Sequence, residues 1–241
     1  MNHKPLIIIP TYNEKGNVVK IYNDIRSLEI DLDILFVDDA SPDGTGDLLD
    51  KIAKKDKSLF IIHRKNKLGI GSAHKDAITW AYEKGFQIII TMDCDYSHSP
   101  DDIPRFIEFS SKSDVVVGTR YMKNSSMEEL RFFRRMLSKS AHFMTQFFLR
   151  MPYDSTNAFR LYRLDNISQE VINQVASDSY SFFFESLYLL HSNNISINEI
   201  PVKLGNRPTG KSKMSLFDAL TSLRILTIIT FKKYFQAVKY D

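Results

Sequence analysis

A single cysteine stands among the 241 residues. One thiol cannot build an internal disulfide framework, so burial and hydrogen bonding must hold the fold, and a reducing compartment is expected. Long apolar runs are scarce as well. No stretch reaches the roughly 18 uninterrupted apolar residues of a membrane-crossing helix, and the run within Met1–Pro10 is too short for a secretory leader. Internal repeats and low-complexity tracts are absent. Neither sign of charge dominates: 32 Lys and Arg against 29 Asp and Glu leave +3, too little for the basic footprint of a nucleic-acid binder. Missing too is the turn G-x-G-x-x-G that a dinucleotide fold carries after its first strand, which disfavours nicotinamide chemistry.

What is present suits one large α/β unit. Apolar residues make up 43% of the chain, enough at this length to fill a full core. Strand-like runs at Leu6–Ile9, Ile34–Val37, Leu59–Ile62, Ile88–Met92 and Val115–Val117 alternate with helical spacing at Asn17–Leu28, Asp47–Lys54, Ser72–Lys84 and Ile103–Ser110. This alternation predicts a mostly parallel sheet flanked by helices. The second half predicts a long helix over Glu129–Arg150, an extended stretch at Asn157–Tyr162, a helix at Ser181–His191, a strand at Ile195–Val202 and a last helix over about 216–234. Acids gather before residue 115, whereas Arg and Lys crowd 120–163 and 203–239. One side suits a metal and the other an anion. Trp80 and the aromatics at 182–184 read as core, and the histidines show no metal-ligand spacing.

The chemistry concentrates where strands end. The fourth strand runs out into Met92-Asp93-Cys94-Asp95, and two carboxylates two residues apart leave an extended chain on one side. At the carboxyl end of a parallel strand they make half of a hard-cation site, which would most simply serve a diphosphate. The first strand ends in Pro10-Thr11-Tyr12-Asn13-Glu14, which offers an aromatic face, an amide and an acid to a base and ribose; Asn13 and Glu14 read equally as caps of the next helix. After the second strand, Val37-Asp38-Asp39 provides strand-end acids for a ribose or a base N–H, or simply turn acids, while Ser41-Pro42-Asp43-Gly44-Thr45 is turn chemistry. Lys67-Leu68-Gly69-Ile70-Gly71 opens a helix and either brings backbone N–H groups near phosphate or permits close packing.

In this order, P-T-Y-N-E, V-D-D-x-S-P-D-G-T, K-L-G-x-G and M-D-x-D-x-S-H-x-P resemble the family 2 glycosyltransferases, most closely the dolichyl-phosphate mannose synthase branch. The likeness continues through Gly118-Thr119-Arg120-Tyr121, Arg134-Arg135-Met136-Leu137-Ser138, Phe159-Arg160-Leu161-Tyr162-Arg163 and Arg207-x5-Lys213, covering about residues 5–230. The resemblance implies a GT-A fold, a Mg2+ or Mn2+ cofactor, and transfer of a hexose from a nucleotide diphosphate sugar, GDP-mannose before a UDP-sugar, to a polyprenyl phosphate. It implies that Pro10, Tyr12, Glu14, Val37 and Asp39 hold the nucleoside. Asp93, Cys94, Asp95 and Ser97 would surround metal and diphosphate, with Asp93, Asp95 and Ser97 as the metal set. Arg120 would face both phosphates, Arg207 and Lys213 would close over the donor, and Arg134 and Ser138 would grip the acceptor phosphate. There are departures: Ser97 stands where many bacterial members have Gln, Cys94 is the small middle residue, and Thr156-Asn157-Ala158-Phe159-Arg160 replaces the usual T-S/G-G-F-R.

A phosphate monoester is largely dianionic near neutrality, its second pKa being about 6, so such an acceptor needs no base. The arginine-rich second half therefore favours a phosphate acceptor over a sugar hydroxyl, although Arg131, Arg134 and Arg135 also read as a solvated face. The alternative, a family 2 transferase of surface polysaccharide synthesis using a hydroxyl acceptor, needs a carboxylate base, and Glu185 is the candidate. A non-catalytic nucleotide-sugar binder is a third reading, disfavoured by the intact D-x-D with Arg120, Arg207 and Lys213. Phe132, Phe133, Phe143, Met144, Phe147 and Phe148 alternate with cations, and the last helix has the same character. Such helices lie in a headgroup plane, or else pack on the core or a second subunit. The expected organisation is a catalytic domain over 1–205, divided into a nucleotide-sugar and metal half at 1–125 and an acceptor half at 126–205. A basic donor-closing loop and membrane-surface helix follow at 206–241. The expected location is the cytoplasmic face of a membrane, peripherally bound, with a homo-oligomer left open.

Overall fold

The computed structural model describes residues 4–122, 132–203 and 216–236, with backbone alone at 132–135, 137, 138, 216 and 236. One seven-stranded sheet organises them, in the order β3-β2-β1-β4-β6-β5-β7. Its strands are β1 (Leu6–Thr11), β2 (Asp33–Asp38), β3 (Leu59–His63), β4 (Ile88–Thr91), β5 (Val115–Thr119), β6 (Arg160–Arg163) and β7 (Ile197–Pro201). The helices are α1 (Val18–Arg26), α2 (Thr45–Ala53), α3 (Ile70–Glu83), α4 (Ile103–Phe109), α5 (Phe132–Leu149), α6 (Gln169–Asn173), α7 (Ser181–Ser192) and α8 (Leu216–Gln236).

The central strands are apolar at nearly every position because helices cover both faces. Side chains alternate between two core layers: Ile7, Ile9, Ile34, Phe36 and Ile90 enter one, and Leu6, Ile8, Leu35, Val37 and Ile89 the other. β1 pairs with β2 through Thr11 but with β4 only through Ile8. Pro10, which has no N–H to give, lies beyond that shorter ladder. The two strands then part, and strand order reverses there, which is where an open α/β sheet leaves a crevice.

β6 runs antiparallel between β4 and β5, with Arg160 opposite both Thr91 and Val117. Its first residue therefore lies at the ends of two strands running the other way. The extended stretch expected from Asn157 becomes strand only at Arg160, because Asn157 turns its amide to the Gly118 carbonyl, 2.6 Å away. The short helix α6, capped by Ser168, was not expected. β6 and β7 complete the sheet begun before residue 125, so the two expected halves share one core.

α3 begins on glycines for a steric reason. A Cβ at Gly69 would meet the Asp178 carbonyl oxygen at 2.6 Å, and one at Gly71 would meet the Ser179 oxygen at 2.6 Å and Phe182 Cβ at 2.7 Å. Gly69 also has φ +100°. Gly71→Ala is therefore expected to overpack the α3–α7 contact and cost about 1–3 kcal/mol. Denaturant unfolding should show a lower midpoint with an unchanged slope.

Candidate active site

The crevice is lined by Pro10, Thr11, Tyr12, Glu14, Asp39, Lys67, Gly69, Ile70, Ala73, Asp93, Cys94, Asp95, Ser179, Tyr180 and Asp218. Three loops at strand ends frame it, and each carries a non-glycine residue with positive φ: Asn13 at 56°, Ala40 at 58° and Tyr96 at 64°. Such backbone persists only where the surroundings over-determine it. The turn after β2 does so for the loop after β1. Backbone N–H groups of Asn13, Glu14 and Lys15 donate to Ser41 Oγ, Thr45 Oγ1 and Asp43 Oδ2 at 2.9, 3.0 and 3.1 Å. The Glu14 carboxylate accepts from Asn17 Nδ2 at 2.7 Å, and its carbonyl accepts from the Asn17 and Val18 N–H groups at 2.8 and 3.0 Å, so Glu14 both lines the crevice and meets the start of α1. Lys67 Nζ lies 4.0 Å over the Tyr12 ring.

Asp39 is held more tightly than the sequence suggests. Oδ1 accepts from Arg64 at 2.9 Å and from the Leu68 N–H at 3.0 Å, and Oδ2 accepts from the Gly69 N–H at 3.1 Å. The K-L-G loop is thus tied to β2 by that carboxylate. Asp38 is buried and accepts from the Ser41 N–H at 3.3 Å.

In the loop after β4, Asp95 Oδ1 accepts from both the N–H and the hydroxyl of Ser97, at 2.9 and 2.5 Å. The Tyr96 hydroxyl donates to Asp24 Oδ2 at 2.6 Å, anchoring the loop to α1. Burial, together with that carboxylate, pushes the Tyr96 hydroxyl well above the usual phenol range. Among the described residues no three His, Cys, Asp or Glu side chains gather as a complete metal cage. Asp93 and Asp95 alone fit a cation that takes one or two carboxylates and completes its shell with water and substrate phosphate, the habit of Mg2+.

Arg120 follows β5 and meets a fully buried carboxylate. Its Nε donates to Asp154 Oδ2 at 2.8 Å, and one terminal nitrogen donates to Asp154 Oδ1 and to Thr156 Oγ1, both at 2.6 Å. The Arg120 N–H also reaches Asp154 Oδ2 at 3.1 Å. Burial drives the Asp154 carboxyl up, but the charge and hydrogen bonds of Arg120 outweigh it and hold its pKa below 3.8. Glu199 accepts from the Asp154 N–H at 2.7 Å, and its own carboxyl is raised, chiefly by burial. Beside this pair, Tyr121 stacks on His142 at 3.9 Å.

Seven of the expected residues share the crevice: Pro10, Tyr12, Glu14, Asp39, Asp93, Cys94 and Asp95. Three others are not among the lining residues. The Val37 side chain is fully buried in the core. Ser97 is buried and its hydroxyl donates to Asp95. Arg120 is engaged by Asp154 and does not line the crevice. Glu185, the candidate base, is likewise absent from that lining. It is buried, and its two oxygens accept from the Ala176 and Ser177 N–H groups at 3.0 Å each. The backbone of Arg134 and Ser138 lies on α5, with the side chains outside the described atoms; Arg207 and Lys213 lie outside the described residues. Sequence reasoning missed Asp154, His98, Asn157 and Asp218. His98 and Asn157 did carry a signal, since His98 belongs to the quoted M-D-x-D-x-S-H-x-P run and Asn157 to the T-N-A-F-R run, whereas Asp154 offered only its position just before the F-R-L-Y strand.

Replacing Asp154 by Asn should leave Arg120 buried without its counter-charge, at a cost of about 3–5 kcal/mol. The sign with pH is definite. A depressed carboxyl stabilises above its unfolded value of about 3.9 and loses that contribution as pH falls through the folded value. Thermal melts between pH 6 and 2 should fall more steeply for the parent protein than for Asp154→Asn, and parallel curves would refute the pairing.

Comparison with known proteins accords with this architecture. Residues 6–187 match Glycosyl transferase family 2. The chain is 33% identical over 215 residues to the polyprenol monophosphomannose synthase of Mycolicibacterium smegmatis, spanning 88% of this chain and 81% of that protein. It is 34% identical over 211 residues to the undecaprenyl-phosphate mannosyltransferase of Micrococcus luteus, spanning 87% of each. A mannosyltransferase from Pyrobaculum calidifontis, solved with GDP-Man and Mn2+, superposes with a TM-score of 0.58 at 14% identity, over 98% of this chain and 65% of that one. At that identity the likeness speaks for the fold alone. A mostly parallel sheet of the GT-A type, a strand-end D-x-D and the match over three quarters of its length lead to one statement: this chain belongs to glycosyltransferase family 2.

Proposed function

We propose that the protein moves a hexose, mannose first, from a nucleoside diphosphate sugar to a polyprenyl phosphate, with inversion at the anomeric carbon. The observation that carries this reading is the engagement of Glu185. A hydroxyl acceptor must lose a proton to a base, and the one residue named for that task is tied to two backbone N–H groups. A phosphate acceptor needs no such group, since it is already the nucleophile. The two curated relatives, whose names specify mannose and polyprenyl or undecaprenyl phosphate, support the same acceptor and mannose as the sugar.

The chain's own residues then have electrostatic and positioning work. Of the residues that line the crevice, Tyr12, Glu14 and Asp39 are assigned to the nucleoside, and Asp93 and Asp95 to the diphosphate. Asp93 and Asp95 would hold a Mg2+ or Mn2+ ion, which when bound neutralises the departing diphosphate. A phosphate oxygen attacks the anomeric carbon as the bond to the diphosphate breaks, and the nucleoside diphosphate leaves. Arg134 and Ser138 are one turn apart on α5, so they share a helix face on which to grip the acceptor phosphate. Arg207 and Lys213 are assigned to closing over the donor.

The acceptor's lipid tail calls for a membrane surface, with the cytoplasmic face proposed. α5 and α8 pack together and leave Phe143, Phe147, Phe217, Leu220 and Phe231 exposed at 65, 64, 76, 66 and 60%. Among the described residues no helix is long and apolar enough to cross a membrane. These helices suit the headgroup plane, with Lys139, Lys232 and Arg150 exposed beside the aromatics.

Purified protein with Mg2+, a panel of radiolabelled nucleotide sugars and polyprenyl phosphate should yield label in the organic phase, with GDP-mannose the best donor. Glu185→Gln should lose about 1–2 kcal/mol of stability by weakening two hydrogen bonds, yet transfer to phosphate at near the parental rate per folded molecule. Selective transfer to sugar hydroxyls, abolished by Glu185→Gln, would reverse the assignment. Phe143→Glu with Phe147→Glu should abolish co-sedimentation with anionic vesicles and spare turnover on a short, detergent-dispersed acceptor; unchanged sedimentation would refute the proposed membrane face.

A further inference from the structure

β4 leads into the D-x-D loop and β5 into the Arg120–Asp154 pair behind the crevice, yet the two strands are not neighbours; β6 lies between them. Strand pairing alone therefore does not set the D-x-D loop against Arg120. A chain of side-chain hydrogen bonds crosses the gap. The Asp93 N–H can only donate, and its partner is His98 Nδ1 at 2.9 Å. Nδ1 is then the acceptor nitrogen, so Nε2 carries the proton and donates to Asn157 Oδ1 at 2.9 Å. That orients the Asn157 amide, and its Nδ2 donates to the Gly118 carbonyl at 2.6 Å, two residues before Arg120. Every donor and acceptor in this series follows from the first.

The surroundings hold the series rigid. His98 and Asn157 are both 3% exposed. Phe159 stacks on the His98 ring at 4.9 Å, with Phe106 behind it at 4.3 Å. Arg160, fully buried, donates to the Asn157 and Ser155 carbonyls at 2.8 and 2.7 Å, and no ion pair to it is found among the described residues. The segment 154–160 thus grips Arg120 through Asp154 and the D-x-D loop through Asn157.

We propose that His98 and Asn157 are positioning residues that fix the Asp93–Asp95 loop relative to Arg120, and so set metal-dependent binding of the donor diphosphate. The inference rests on the reading of Asp93 and Asp95 as the cation end of the crevice. Coordination of a small hard cation demands near-ideal geometry, so a loop released by a few tenths of an ångström loses affinity without losing its fold.

Calorimetry with GDP and with UDP, each in Mn2+ and in EDTA, tests this without any acceptor. Asn157→Ala and His98→Gln should weaken Mn2+-dependent binding about tenfold, the usual cost of removing a partner behind a metal ligand. Metal-free nucleotide binding should stay at the parental value. His98→Asn keeps an acceptor for the Asp93 N–H while losing reach to Asn157, and should fall between. Parental Mn2+-dependent binding in these variants overturns the proposal, as does a loss equal in Mn2+ and in EDTA, which is what a merely structural role would give. A parental protein whose nucleotide affinity ignores Mn2+ would instead overturn the cation reading beneath it, and this proposal with it.

Discussion

An antiparallel strand inserted between two parallel ones is the constraint on which this site depends. β6 separates β4 from β5 and, because it runs the other way, starts where they end. The residues leading into it are thereby delivered to the carboxyl edge of the sheet. From there Asp154 reaches the guanidinium that follows β5, and Asn157 reaches the loop that follows β4. A purely parallel sheet would bring a helix end to that edge. The insertion brings an irregular segment dense in hydrogen-bonding groups, held down by a buried arginine.

Charge is arranged to match. Among the described residues the crevice lining holds Glu14, Asp39, Asp93, Asp95 and Asp218 against one lysine, Lys67, an acidic wall poorly suited to a bare diphosphate and well suited to one carried with a cation. Arg120 sits behind it with its charge balanced by Asp154. α8 joins the two regions physically: Asp218 in its first turn lines the crevice, while Phe217 and Leu220 beside it are exposed. A surface able to meet lipid and a wall of the donor crevice thus belong to one helix.

Much of this was legible in the sequence, and the pattern of what was not is instructive. Buried strands announce themselves by continuous β-branched runs, and β1 to β5 came within a few residues of their observed bounds. The D-x-D loop and the P-T-Y-N-E loop converge as expected because strand ends in a parallel sheet must converge. Direction is another matter. An extended stretch such as 157–162 does not encode whether it pairs parallel or antiparallel, so the role of β6 could not be read. The partners of Glu185 were hidden for a related reason: helical spacing gives a face but not what that face meets, and here it meets the backbone of residues 176 and 177. Asp154, His98 and Asn157 were missed because polar residues in a turn-like context look alike until the fold supplies their partners.

The S-P-D-G-T turn carries the same lesson further. Read alone it is turn chemistry, and structurally it is that, yet three of its side chains accept the three N–H groups that shape the loop after β1. A residue need not touch a ligand to determine where the ligand can sit. In this fold the side chains that line the crevice are few, and the ones that hold them there are mostly polar, buried and local in their bonding. The site's geometry is thus set by hydrogen bonds among neighbouring loops more than by the apolar core beneath. The core fixes where the strands end; the loops fix what is presented there. For a transfer that asks of the protein mainly that two anions be brought into line, that second layer is where accuracy must reside.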